Sequence, residues 1–402
     1  MKKYSFLIVC ITLLIALFAV SCKAEPEHQH NYIAKYNDVE HWKECECGSK
    51  IDIAKHMGAW EKDSVAGVLR KCSSCEWEKA DPSGVAVANI DEFNAAMEDA
   101  GKTIYLINDI ATPKRFSIKG KSISIDFNGH KITLSDSFAD TGAGPYGLIT
   151  IDNEGELTLK DSSNGNGGID VVANSNPKIG YCIVIYPDDG HKAKLTIDGG
   201  FYKATQCAIS GNGSYDNICA EIDINDGIFE GSTAIYHPQN GIMRITGGEF
   251  KGSDTAIEIR AGKVNIAGGK FISTSAVYTC KHNGSGTTTI GSAIAIAQHT
   301  TKLPITVGID GGEFAGVNAV SVDDPEKNED FANVKLQING GSLRSTKADD
   351  SYAVYDYTGS MKNFIYGGTF TASHSPAEPD KQYTADGTTT TGNDGVWKVT
   401  KN

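Results

Sequence analysis

Ile245-Thr-Gly-Gly-Glu-Phe250 is followed 21 residues later by Ile266-Ala-Gly-Gly-Lys-Phe271, and these two adjacent copies decide how the rest of the chain is read. The pattern recurs as Ile197-Asp-Gly-Gly-Phe-Tyr202, Ile224-Asn-Asp-Gly-Ile-Phe229, Ile309-Asp-Gly-Gly-Glu-Phe314, Ile338-Asn-Gly-Gly-Ser-Leu343 and Ile365-Tyr-Gly-Gly-Thr-Phe370. Successive starts lie 27, 21, 21, 43, 29 and 27 residues apart. The repeat is thus near 21 to 29 residues, and the long interval reads as one repeat plus an insertion at the Gly- and Thr-rich stretch 281–301. A second mark follows most copies: Ala208-Ile209, Ala234-Ile235, Ala256-Ile257, Ala276-Val277, Ala319-Val320 and Ala353-Val354. Each repeat therefore carries two short strands and a Gly-Gly corner, where the chain must be free to take positive φ. Stacked at the strand spacing of about 4.8 Å, each Ile lies over the next Ile and each Phe over the next Phe, and about eleven turns make a rod of roughly 50 Å.

Composition agrees. With 44 Gly against 11 Pro and only 5 Met in 402 residues, the chain turns often and favours strands. Ahead of the hexapeptides, Ile90-Asp91 opens a short amphipathic helix with Asp91 as N-cap, Phe93, Ala96, Met97 and Ala100 at helical spacing and Gly101 at its end. Strands follow at 103–107 and 123–127, the latter running into Asn128-Gly129-His130. A helix there would cover the open end of a stacked array. The helix, the Asn-Gly-His-x-Ile segment ending at Ile132, the repeated Gly-Gly corners, and the closing Tyr383 to Gly387 and Gly395-Val-Trp-Lys-Val399 stretches resemble the pectin-lyase-like superfamily. The resemblance covers about three quarters of the chain. It implies an all-β, right-handed parallel β-helix over 83–402 and says little about activity, because that scaffold carries lyases, hydrolases, adhesins and tailspikes.

The first 21 residues hold Lys2, Lys3 and an apolar run from Phe6 to Val20, too short to span a bilayer comfortably. Ala19-Val20-Ser21-Cys22 resembles the bacterial lipobox, with Ala19 where that motif more often has Leu. The resemblance implies a lipoprotein signal peptide over 1–21, lipid on Cys22, and an extracytoplasmic cell-envelope protein whose membrane partner is reached through the lipid. An ordinary signal peptide with a chance Cys22 is the alternative. Losing two lysines and no acid moves the formal charge from -13 to -15, which disfavours nucleic acid as a partner.

Residues 22–82 form a different module, carrying His28, His30, His41, His56, Cys45-x-Cys47 and Cys72-x-x-Cys75. A short Cys-x(1,2)-Cys pair turns two sulfurs toward one centre, and a distant His can complete a tetrahedron around Zn²⁺. The order resembles small zinc-ribbon-like repeats of bacterial surface proteins. That resemblance implies a site of Cys45 and Cys47 with His30 and His56, and a second at Cys72 and Cys75 that shares or recruits another His, although Glu76 stands where Gly usually follows. Two disulfides are the alternative, since the expected compartment is oxidising; Cys45 and Cys47 are too close to pair with each other, so the knuckles would cross-link. Either staple compensates for a thin core.

Chemistry is sparse. A glycoside hydrolase needs two converging carboxylates; Asp188-Asp189 with His191, Asp323-Asp324 and Asp349-Asp350 sit beside turn signals at different phases of the repeat. Glu258, Arg260 and Lys263 read as a solvated polar face opposite Ile257 and Ile259. Cys182 precedes Ile183 as Ala208 precedes Ile209, and a buried inert thiol is the expectation for it and for Cys207, Cys219 and Cys280. Tyr236, Tyr278, Tyr355 and Tyr357 read as an exposed stripe suited to sugar rings or a protein partner, which simple strand alternation explains equally. The expectation is a non-enzymatic, lipid-anchored surface rod presenting a face to glycan or protein. The rival is a divergent polysaccharide lyase or glycoside hydrolase with the insertion in its cleft.

Overall fold

The structure is a computed structural model that describes residues 29–139, 147–163, 167–172, 179–214, 219–328 and 331–402. The signal segment, Cys22 and His28 lie outside the described residues. The described chain is mostly β, and none of its helices is long and apolar enough to cross a membrane. It divides into two compact units: one takes the chain up to Met57 together with Lys71–Glu78, the other Gly58–Arg70 with Lys79–Asn402.

The small unit contains an antiparallel sheet of Tyr32–Tyr36, Glu40–Cys45 and Lys50–Lys55. Every residue of the last strand is exposed, and the buried residues described in this unit are Cys45, His56, Cys72 and Trp77. Such a chain has almost no apolar core to offset the entropy of ordering it.

In the large unit most strands join one sheet of 27, and most pairings are parallel and link segments one repeat apart. Ile197, Ile224, Ile245, Ile266, Ile309 and Ile338 pair in register, and Phe229, Phe250, Phe271, Phe314, Leu343 and Phe370 do the same. Rings at Phe229, Phe250, Phe271 and Phe314 stack at 4.8 Å with interplanar angles of 3–6°. A third column runs Ile149, Ile183, Ile209, Ile235, Ile257, Ile294, Val320, Val354.

The two glycines of a corner have different reasons. A Cβ on the first, as at Gly247, Gly268, Gly311 or Gly340, would sit 2.5 Å from a carbonyl oxygen of the preceding repeat. The second, as at Gly248, Gly269 and Gly312, has φ of +96 to +106°. Asp226 replaces the first glycine in one copy, and there the pairing with Asp198 slips out of register.

Four details differ from the sequence reading. The helix spans Ile90–Glu98, and its N-cap is Asn89, whose side chain accepts from the amides of Asp91 and Glu92; Asp91 lies in the first turn and Ala100 is exposed. The insertion lies at 274–291, between the strands Lys270–Ser273 and Ser292–Ala297. Ala276-Val277 therefore falls in the insertion, with Val277 61% exposed, and Ala293-Ile294 takes the column position. Cys182 and Cys207 are buried, but Cys219 is exposed and Cys280 half-buried.

At the start of this unit, Trp60 and Val68 pack with Ala86 and Tyr105. Asn128, left-handed at φ +50°, stitches that hairpin to the sheet: its Nδ2 donates to the carbonyls of Trp60 (3.0 Å) and Leu106 (2.9 Å), and its Oδ1 accepts from the Trp60 amide (2.8 Å). At the other end, Val396–Lys401 pairs antiparallel with Gly368–Thr371 and Thr388–Asn393.

Candidate functional site

In the small unit the Cys72-Ser-Ser-Cys75 knuckle is closed by the Cys72 amide donating to the Trp77 carbonyl, with the Ser74 amide 3.5 Å from Cys72 Sγ. The strand Glu40–Cys45 brings in His41, and the end of Lys50–Lys55 brings in His56. The ligand atoms of His41, His56, Cys72 and Cys75 all lie within 4.8 Å of one another. Cys72 Sγ is 3.7 Å from His41 Nδ1, and Cys75 Sγ is 3.4 Å from His56 Nδ1. His56 Nε2 meets the Asn37 carbonyl at 2.7 Å and must be the protonated nitrogen, which leaves Nδ1 as a lone-pair donor. Trp77 stacks on the His56 ring at 4.2 Å and 4°. Burial raises the Cys72 thiol, but the Ser74 amide and His56 outweigh it and hold the group down to about 6. Burial, with the adjacent Cys72 thiolate, pushes Cys75 up. These four residues could hold a metal ion.

A second group joins His30, Cys45 and Cys47, with Cys47 Sγ 3.3 Å from His30 Nδ1. The residues named from sequence thus divide differently from the expectation. His56 stands with Cys72 and Cys75 rather than with Cys45 and Cys47, and His41, absent from the expected set, completes the four. The pair followed by Glu76 is the one with the fuller set.

In the large unit the insertion folds as a strap over the outward side of the third column. Glu258 and Arg260 are fully buried, not a solvated face; of that trio only Lys263 is exposed. Glu258 accepts from the Thr288 amide and hydroxyl (both 2.8 Å) and the Thr289 amide (3.1 Å). Arg260 donates to the carbonyls of Asn283 (2.8 Å), Gly286 (2.7 Å) and Ala297 (3.1 Å), and to Glu326 at 2.5 Å. His282 closes on the other Glu326 oxygen. Burial raises Glu258; it acts in the same sense on Glu326, but Arg260 prevails there and lowers that carboxyl. Both carboxylates are thus committed to pinning the strap.

Two clefts flank it. One, of about 540 Å³, is walled by Tyr278, Tyr352, Tyr355 and Tyr357, with Asn318 and Asp350 in its lining. Tyr278 and Tyr357 stack parallel, face to face, at 4.3 Å; Tyr355 leans on Tyr357 at 4.5 Å, and Lys381 Nζ lies 4.7 Å over Tyr355. Their hydroxyls are fixed from within the protein: Tyr278 donates to Asp323 (2.8 Å) and Tyr357 accepts from Asn318 (2.9 Å). His374 stacks on Tyr352 at 4.3 Å between Glu378 (2.7 Å) and Asp350 (3.0 Å). Of the acids expected at different phases, Asp350 lines this cleft, while Asp323 is bonded to the hydroxyl of its Tyr278 wall. Of the expected stripe, Tyr236 is instead buried and lines the other cleft, about 430 Å³, beneath the loop 283–287. Asp188 is bonded to Asn153 (2.8 Å), and His191 pairs with Glu154. Comparison of the chain with family models, curated proteins and solved structures found no match.

Proposed function

We propose that this chain is a lipid-anchored protein of the bacterial cell envelope that recognises glycan or protein surfaces without turning them over. The single observation that carries the recognition reading is the tyrosine cleft: Tyr278 and Tyr357 are packed ring on ring with their hydroxyls bonded on the protein side, and Tyr357 is still 42% exposed, an aromatic surface suited to contact with the C–H faces of sugar rings. The large unit is read as a right-handed parallel β-helix of pectin-lyase-like type. Parallel register from repeat to repeat supports the stacking, and the general preference of parallel crossovers supports the hand. The anchor rests on the sequence Ala19-Val20-Ser21-Cys22.

In the small unit, a structural Zn²⁺ on His41, His56, Cys72 and Cys75 fits the donor set and its burial. Disulfides alone would leave the convergence of two imidazoles unexplained. The second cluster would use His30, Cys45 and Cys47.

Affinity electrophoresis against immobilised neutral and acidic polysaccharides tests the recognition reading. Retardation that drops about tenfold in Tyr357→Ala, with no change in melting, is expected; equal mobility of wild type and variant in every gel would overturn it. The rival, a divergent lyase or hydrolase, is favoured by one observation: Asp350 lines the cleft and a second carboxylate, Asp323, is bonded to the hydroxyl of its Tyr278 wall. Product formation from polygalacturonate with Ca²⁺ would establish it.

A further inference from the structure

The cleft of about 430 Å³ on the other side of the strap has a lining of a different character. One wall comes from outward residues of successive repeats, Tyr181 and Tyr186, Gln206 and Ser210, then Ser232 and Tyr236; the other is the loop 283–287 with His299. Among the described residues that line it there is no Asp, Glu, Lys or Arg. The nearby charges, Glu258, Arg260 and Glu326, are engaged with one another and with the strap, and Arg260 holds the loop wall through the Asn283 and Gly286 carbonyls. Burial, then Arg260, lowers His299, so this ring is neutral near pH 7.

What remains is a set of oriented neutral donors and acceptors beside aromatic rings. The Tyr181 hydroxyl donates to Gln206 Oε1 (2.6 Å), which fixes the amide with its Nε2 hydrogens as donors. Asn212, 4% exposed, is in the wall; its Oδ1 accepts from the Ser214 amide (2.9 Å), while its Nδ2 is buried without an acceptor. A buried orphan donor of this kind is unfavourable until something accepts from it. The volume falls within the usual range for small-molecule sites.

We propose that this cleft is a second binding site, for an uncharged polyhydroxylated ligand: one or two neutral hexose units, stacked on tyrosine and bonded by Gln206, Ser210 and Asn212. An anionic uronate would find no cation to meet it. The inference extends the recognition reading to a separate place on the same unit.

Titration calorimetry of the full chain with cellohexaose, maltohexaose and hexagalacturonate tests it. Binding of at least one neutral hexaose and much weaker binding of the uronate are expected. Ser285→Trp, which plugs the cleft from an exposed loop position, should lower the neutral affinity at least tenfold; Gln206→Ala should lower it about three- to tenfold. Tyr357→Ala should leave it unchanged. No neutral binding, unchanged binding in both cleft variants, or equal binding of the uronate would each overturn the inference. Loss in Tyr357→Ala alone would overturn it too, while leaving the tyrosine-cleft reading intact.

Discussion

The two compact units of this chain are stabilised in opposite ways. In the large one, the Ile and Phe residues of the columns rest on equivalent residues one repeat away, so burial is distributed over dozens of similar contacts. In the small one, three of the four buried residues described are Cys45, His56 and Cys72, so the groups that would form an apolar core elsewhere are here ligand-type side chains. A ladder tolerates local damage; a cluster of four side chains does not.

Removing the proposed metal should give the largest effect. Chelation, or Cys72→Ser with Cys75→Ser, should release zinc and make the segments up to Met57 and Lys71–Glu78 protease-sensitive, leaving the thermal transition of the large unit in place. Structural zinc in small modules is worth about 10–16 kcal/mol. Metal analysis beside limited proteolysis checks this, and a zinc-free but protease-resistant segment would erase the contrast between the units. Next comes Arg260→Ala, which leaves Glu258 and Glu326 buried without their partner and should cost about 3–5 kcal/mol in denaturant unfolding. Gly268→Ala follows: its Cβ would meet the Thr246 carbonyl oxygen at 2.5 Å, and about 1–3 kcal/mol is expected, whereas substitution at the open Gly284 should cost little.

The smallest effect concerns His374. Its hydrogen bond to Glu378 raises its pKa, with Asp350 adding to the shift. The folded chain therefore binds that proton more tightly than the unfolded chain does. The stabilisation is fully present below the unfolded value of about 6.5 and is lost as pH rises through the higher folded value. His374→Gln should accordingly lower Tm at pH 5.5 and leave it unchanged at pH 8.5; equal shifts at both would refute the linkage.

Much of the ladder was legible because repetition writes the same contact many times: the Ile and Phe spacing located both columns, and Gly-Gly located the corners. Single events were harder. Ala276-Val277 imitates the repeat mark, yet only packing reveals that Ala293-Ile294 carries on the column. Alternation correctly turned Glu258 and Arg260 outward, but it cannot tell that a strap 23 to 31 residues further on will cover them. In the small unit the ligand types were readable and their grouping was not. His41 and His56 are brought together by the pairing of two antiparallel strands, a relation that linear spacing to a cysteine does not encode. The Asn128 stitch left no signal beyond an Asn-Gly turn.

Incubating the full chain with a panel of soluble polysaccharides, polygalacturonate with Ca²⁺ included, while following retention on the polymer and the release of reducing ends or unsaturated sugars, tests recognition without turnover most directly. Retention with no product over a day is predicted. Steady product formation that scales with protein concentration would contradict it.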